Sequence, residues 1–139
     1  MSDKNVTSYL SLFNGVLHRK IASKESINEF HNSGSRPQKY QDTLHKHHFI
    51  PETEFAKNSP TISVESFSEV DFIILDGGEY TSEGDMEILQ QFSPSYIALD
   101  DVNCYKNYVS HRRLEASHNA QKIIAGKDRG GWSIFKLSY

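Results

Sequence analysis

Two apolar runs dominate the hydrophobic pattern of the chain, and each stops abruptly on a carboxylate. Val70-Asp71-Phe72-Ile73-Ile74-Leu75 gives way to Asp76-Gly77-Gly78, and Tyr96-Ile97-Ala98-Leu99 gives way to Asp100-Asp101. Within the runs there is no polar alternation, so strands 71–75 and 96–99 read as parallel neighbours covered by helices on both faces. Between them, Thr81 or Ser82 offers an N-cap for a helix reaching about Phe92. Glu83, Asp85 and Glu87 lie near its positive end, and Met86, Leu89 and Phe92 form its apolar stripe. Ser93-Pro94-Ser95 stops this helix. Strand, helix and strand are thus complete within ~30 residues, as a right-handed parallel crossover requires.

Downstream, Val102–Asn107 reads as a loop and Tyr108–Ser117 as a helix. Gln121–Ala125, a turn over Gly126–Gly131 and Trp132–Leu137 then read as an antiparallel hairpin. Ser133, Lys136 and Ser138 interrupt its apolar pattern, as at a sheet edge. Upstream, Val6, Leu10, Leu12, Phe13, Val16 and Leu17 suit a strand ending near Asn14-Gly15, although Leu10, Phe13 and Leu17 also match helical spacing. Residues 21–60 are polar and broken by Ser33-Gly34-Ser35-Arg36-Pro37, which predicts an irregular or mobile insertion with one short helix, Lys24–His31, capped by Ser23. His45, Lys46, His47 and His48 fall inside it. A zinc site needs three or four ligands in fixed geometry, and no Cys-x-x-Cys or His-x-x-x-His frame accompanies them, so a solvated loop is expected.

Composition narrows the classes. At 139 residues the chain fits a single domain, with residues 61–139 as its α/β core. A net charge of −3 offers no basic face for a nucleic acid or an anionic membrane, and no run is long and apolar enough to span a bilayer. The lone Cys104 cannot form an internal disulfide, which suits a reducing compartment, so a cytoplasmic location is expected. Without a persuasive His or Asn partner, it does not read as a catalytic thiol.

The chemistry is expected at the strand ends, because ligands of open α/β sheets bind just outside the carboxyl ends of the strands. Asp76 and Asp100 would project there into one crevice, and Gly77 and Gly78 permit a close approach of backbone to ligand. The plain alternative is that these acids only cap strand ends by binding the next turn's amides.

Phe72-Ile73-Ile74-Leu75-Asp76-Gly77-Gly78-Glu79-Tyr80, then Ala98-Leu99-Asp100-Asp101-Val102-Asn103 and Gly131-Trp132-Ser133-Ile134-Phe135, together resemble the second half of a class I S-adenosylmethionine-dependent methyltransferase. The resemblance spans Val70–Phe135. It implies a partial Rossmann-like (methyltransferase-type) α/β sheet with parallel strands 71–75 and 96–99 and a C-terminal antiparallel hairpin. It also implies S-adenosylmethionine as cofactor, facing Asp76, Gly77 and Gly78. A narrower similarity to the metal-assisted O-methyltransferases implies Asp76, Asp100 and Asp101 as ligands of Mg²⁺ or Ca²⁺, which would lower the pKa of a substrate hydroxyl. Glu79, Tyr80 and Asn103 would face the substrate, with Tyr105 and Lys106 beside them. Lys106 or His111 would be the candidate general base.

The chain departs from that pattern upstream: no Gly-x-Gly precedes Asp76, and Gly15 and Gly34 stand alone. It therefore reads as a methyltransferase that starts after its second strand, truncated or degenerate, and not expected to be active alone. Without the first strand, 71–75 would be an exposed apolar edge, which predicts a homo-oligomer. Two other readings stand beside this one. The first is a non-enzymatic oligomerising interaction module whose strand-end acids bind a divalent cation or nothing. The second is a metal-dependent hydrolase using Asp76, Asp100, Asp101 and a loop histidine, ranked last because Asp76-Gly77-Gly78 lacks the Asp-x-Asp that aspartyl-phosphate chemistry uses.

Overall fold

Phe72–Leu75 and Tyr96–Asp100 lie side by side in parallel, with Ile73 opposite Ile97 and Leu75 opposite Leu99. The computed structural model describes residues 22–32, 45–61 and 70–139. In chain order these form α1 (Lys24–Asn32), a π-type turn (His45–Phe49) running into α2 (Ile50–Asn58), and β1 (Phe72–Leu75). There follow α3 (Ser82–Leu89) with a 3₁₀ turn (Gln90–Phe92), β2 (Tyr96–Asp100), α4 (Tyr105–Ala116), β3 (Ala120–Gly126) and β4 (Trp132–Leu137). The four strands make one mixed sheet in the order β1-β2-β4-β3. β4 runs antiparallel to both β2 and β3, so β3 points the same way as β2.

The crossover from β1 to β2 forms as its residues predict. Ser93, at a left-handed φ of 50°, ends the 3₁₀ turn, and Pro94 cannot continue it. The cap differs from expectation: Thr81 makes no side-chain capping bond, whereas the Ser82 hydroxyl donates to the Gly78 carbonyl at 2.9 Å. On α1 the cap is as predicted, with the Ser26 amide donating to the Ser23 hydroxyl at 3.1 Å.

Ile73, Leu75, Ile97, Leu99 and Phe135 pack against Met86 of α3, Leu114 of α4 and Val102, so both helices lie on one face of the sheet. Coverage of both faces, expected from the unbroken apolar runs, does not hold among the described residues. β1 alternates, with Ile73 5% exposed and Ile74 64% exposed. An apolar run fixes how greasy a strand is, but only the placement of its neighbours decides which side chains are covered. β1 has one strand neighbour among the described residues and so stands at the end of the described sheet.

A second cluster joins the helices. Phe30 of α1 stands edge-on to Tyr105 at 5.6 Å and to Tyr108 at 5.2 Å, while Tyr80 stacks on Tyr105 at 5.0 Å. Beside it the buried Glu83 carboxylate of α3 accepts from the Ser26 hydroxyl of α1 at 3.1 Å, and from Tyr105 and Arg113 of α4 at 3.4 and 2.7 Å. One acid thus ties three helices together. Burial, then the neighbouring Glu83 charge, push the Tyr105 phenol well above its ordinary pKa.

Two stretches differ from the sequence reading. The stretch 21–60, expected to be largely irregular, contributes α1, the π-type turn and α2, and His45–His48 are helical rather than a loop. α4 begins at Tyr105, so Lys106 and Asn107 belong to a helix. The hairpin lies at an edge of the described sheet, as its interrupted apolar pattern predicts, with β3 outermost and β4 beside β2. The strand expected over Asn5–Gly15 lies outside the described residues. Among the described residues no helix is long and apolar enough to cross a membrane.

Candidate functional site

The early start of α4 carries its first turn across the carboxyl ends of β1 and β2. Asn107, fully buried, donates from Nδ2 to the Leu75 carbonyl at 2.9 Å and to the Asp100 carbonyl at 2.7 Å. Only the NH₂ side of an amide can serve two carbonyls, so the orientation of the side chain is settled by chemistry. This residue fastens the two strand ends to each other and to the helix above them.

Lys106, the preceding residue, bridges the rim. Its ammonium is paired with Asp76 and lies 3.2 Å from Asp101 Oδ2. Burial works against its charge, but the two carboxylates outweigh that and raise its pKa above the ordinary lysine value. Lys106 is therefore protonated at neutral pH and has no lone pair to act as a general base. His111, the other base candidate, packs edge-on against Phe135 at 5.7 Å, beneath the middle of the sheet rather than at the rim. Burial lowers its pKa, with Glu115 opposing.

Asp101 sits at a left-handed φ of 53°, which aspartate tolerates better than most residues. The loop after it is bonded to the hairpin turn: the Val102 amide donates to the Gly131 carbonyl at 3.0 Å and the Asn103 amide to the Gly130 carbonyl at 2.8 Å. Gly130 and Gly131 are needed here, since a Cβ at either position would run into the Asp101 carboxylate or the Asn103 amide. Asp100 is half-buried, and its carbonyl serves Asn107.

The Asp76-Gly77-Gly78 strand end meets a partner from far upstream. The Glu52 carboxylate of α2 accepts from the Glu79 and Tyr80 amides, both at 2.8 Å. A Cβ on Gly78 would stand 2.5 Å from a Glu52 oxygen. Gly78 is thus the condition for a carboxylate to reach these amides. Glu79 accepts from the Lys106 amide at 3.4 Å, and burial raises its pKa. Of the three expected substrate-facing residues, Glu79 is half-buried at the rim, Asn103 is exposed beside the hairpin turn, and Tyr80 is 3% exposed inside the aromatic cluster.

The structure thus brings Asp76, Asp101, Lys106 and Glu79 together at one rim and seals Tyr80 beneath it. Among the described residues, no three or more His, Cys, Asp or Glu side chains converge as metal ligands would. The cation between Asp76 and Asp101 is the chain's own lysine. Comparison with protein-family models, curated proteins and solved structures finds no match.

Two rim residues were not foreseen. Asn107 is a polar residue in the turn after an acid-terminated strand, and moving the helix start three residues upstream would have revealed it. Glu52 carries no local signal, because its partners lie 27 and 28 residues away.

Proposed function

We propose that this chain is a class I S-adenosylmethionine-dependent methyltransferase-like protein, and that the rim at the ends of β1 and β2 is its cofactor-facing edge. One observation supports this above the rest: an acid-terminated parallel pair followed by an antiparallel hairpin whose last strand joins the second of the pair. That is the order the resemblance over Val70–Phe135 implies.

The rim residues fit such a cofactor. The Glu79 and Tyr80 amides already hold acceptor oxygens at 2.8 Å over a glycine that leaves room for them. Asp76 and Asp101 supply the negative charge that suits a positively charged ligand. Bound there, S-adenosylmethionine would supply an electrophilic methyl group on its sulfonium. The chain's own part is to orient it: Gly77, Gly78 and the following amides on one side, Asp76 on the other. A divalent cation on Asp76, Asp100 and Asp101 would have to displace the Lys106 ammonium, so Mg²⁺ is not required by this reading. With Lys106 protonated and His111 away from the rim, neither of the two base candidates is ready to activate an acceptor, and turnover by the chain alone is not expected.

Titration of the isotope-labelled chain with S-adenosylhomocysteine, followed by amide NMR, tests this reading. Shifts are expected at Gly77–Tyr80 and Asp100–Asn103, and Mg²⁺ is expected to leave them unchanged. A spectrum unmoved up to the ligand's solubility limit would remove the cofactor from the reading.

A second reading, an oligomerising interaction module, is favoured by the edge. Phe72 and Ile74 on β1 are 47% and 64% exposed, on a strand with one described neighbour. Such an edge invites pairing with another copy of the chain. Sedimentation equilibrium is expected to give a mass above 15.9 kDa, and Ile74→Lys is expected to restore the monomer. A wild-type chain that stays monomeric at high concentration rules out this pairing.

A further inference from the structure

The rim carries a feature that neither a bare strand end nor a simple cap explains. Both oxygens of one carboxylate, Glu52, are spent on two successive amides, Glu79 and Tyr80, at the place where the sheet would receive a ligand. We propose that Glu52 is a built-in competitor: α2 is a shutter whose carboxylate occupies the ligand's hydrogen-bond donors and must leave before the rim can be loaded. This rests on the cofactor reading above and names the residue that regulates that same site.

The way α2 is attached supports a detachable element. At the rim, α2 meets the described core through the Glu52 carboxylate and through Phe49, at its N-terminal end, whose ring stands edge-on to Tyr80 at 5.2 Å. Ala56 is the one buried residue within α2, while Ile50 and Phe55 are 46% and 58% exposed. A helix with so little buried apolar surface opens at low free-energy cost compared with the core strands. Glu52 itself remains partly in water, its side chain 19% exposed, with His48 Nδ1 at 3.9 Å one helical turn away. Leaving the amides therefore returns the carboxylate to solvent rather than stranding a charge.

The chemistry is selective. Two neighbouring N–H groups with a glycine beneath them accept a ligand bearing acceptor atoms, a carboxylate or a heteroaromatic nitrogen edge, and Glu52 stands in for that group. Competition of this kind lowers apparent affinity by the fraction of molecules in which the shutter is open. A site open in about 10% of molecules binds about tenfold more weakly than one held open.

Two readouts on Glu52→Ala decide the matter. Hydrogen exchange at the Glu79 and Tyr80 amides is expected to accelerate about tenfold or more, with the Ile73, Ile97 and Phe135 amides unchanged. S-adenosylhomocysteine is expected to bind the variant about tenfold more tightly than wild type. Glu52→Gln keeps one acceptor oxygen and is expected to fall between the two, which serves if the alanine variant does not fold. Faster exchange with unchanged affinity would overturn the shutter and leave the cofactor reading standing. Unchanged exchange would show that Glu52 does not hold the amides, and would overturn it too. If neither protein binds while exchange shows the amides released, the cofactor reading fails, and the shutter falls with it.

Discussion

Asn107→Ala is expected to lower the stability of the fold by about 3–5 kcal/mol, read as a fall in the urea midpoint with the slope unchanged. The side chain is fully buried, and its amide serves the Leu75 and Asp100 carbonyls at 2.9 and 2.7 Å. Truncation strands two acceptors at about 1–3 kcal/mol each and opens a small cavity besides. Against a total of about 5–15 kcal/mol for a domain, that is a large fraction. Asn107→Asp is expected to do more damage than alanine, because an ionised carboxylate would face two carbonyl oxygens where a donor belongs. A loss below about 1 kcal/mol for alanine would mean that water satisfies both carbonyls and that the strand ends are not fastened by this residue.

Phe135→Ala is expected to be comparably severe, costing about 3–5 kcal/mol. Phe135 is 1% exposed, pairs with Ile97 in the register of β4 on β2, and sits among Ile73, Leu75, Leu99 and Leu114. It has a second readout, because the same ring covers His111 at 5.7 Å. Burial holds the His111 pKa below 6.5, with the Glu115 charge opposing and Lys122 and Arg112 assisting. The native state thus binds this proton less readily than the unfolded chain. His111 therefore contributes stability above the unfolded value, and that contribution is lost as pH falls from about 6.5 towards the lower native value. Removing the Phe135 ring admits water to the imidazole, so its pKa, followed by NMR, is expected to rise. A variant in which stability falls while the His111 titration stays put would show that Phe135 is not what shields it.

These effects fall on residues whose types are unremarkable in sequence. Ile73, Leu75, Ile97 and Leu99 were legible as strands because four consecutive apolar residues between turn formers have few other uses. Pro94 and Ser93 marked the helix stop, and Gly126–Gly131 marked the hairpin turn, by local backbone restrictions that act without help from the rest of the fold. The boundary that failed was the start of α4. Tyr105-Lys106-Asn107 has modest helix propensity, and it is helical where Tyr105 packs on Tyr80 and Phe30 and Asn107 finds two carbonyls. Three residues of misplaced boundary moved Lys106 and Asn107 from an open loop to the centre of the rim.

Local pattern alone determined the strands and the helix between them, their acid-terminated ends and the closing hairpin, because each depends on neighbours within a few residues. Tertiary structure alone decided what the rim contains. Lys106 pairs with both Asp76 and Asp101, Glu52 crosses from α2 to the Glu79 and Tyr80 amides, and α3 and α4 share one face of the sheet. Hydrogen bonds and ion pairs form between groups that are close in space, and no periodicity along a chain encodes a distance of 27 or 28 residues.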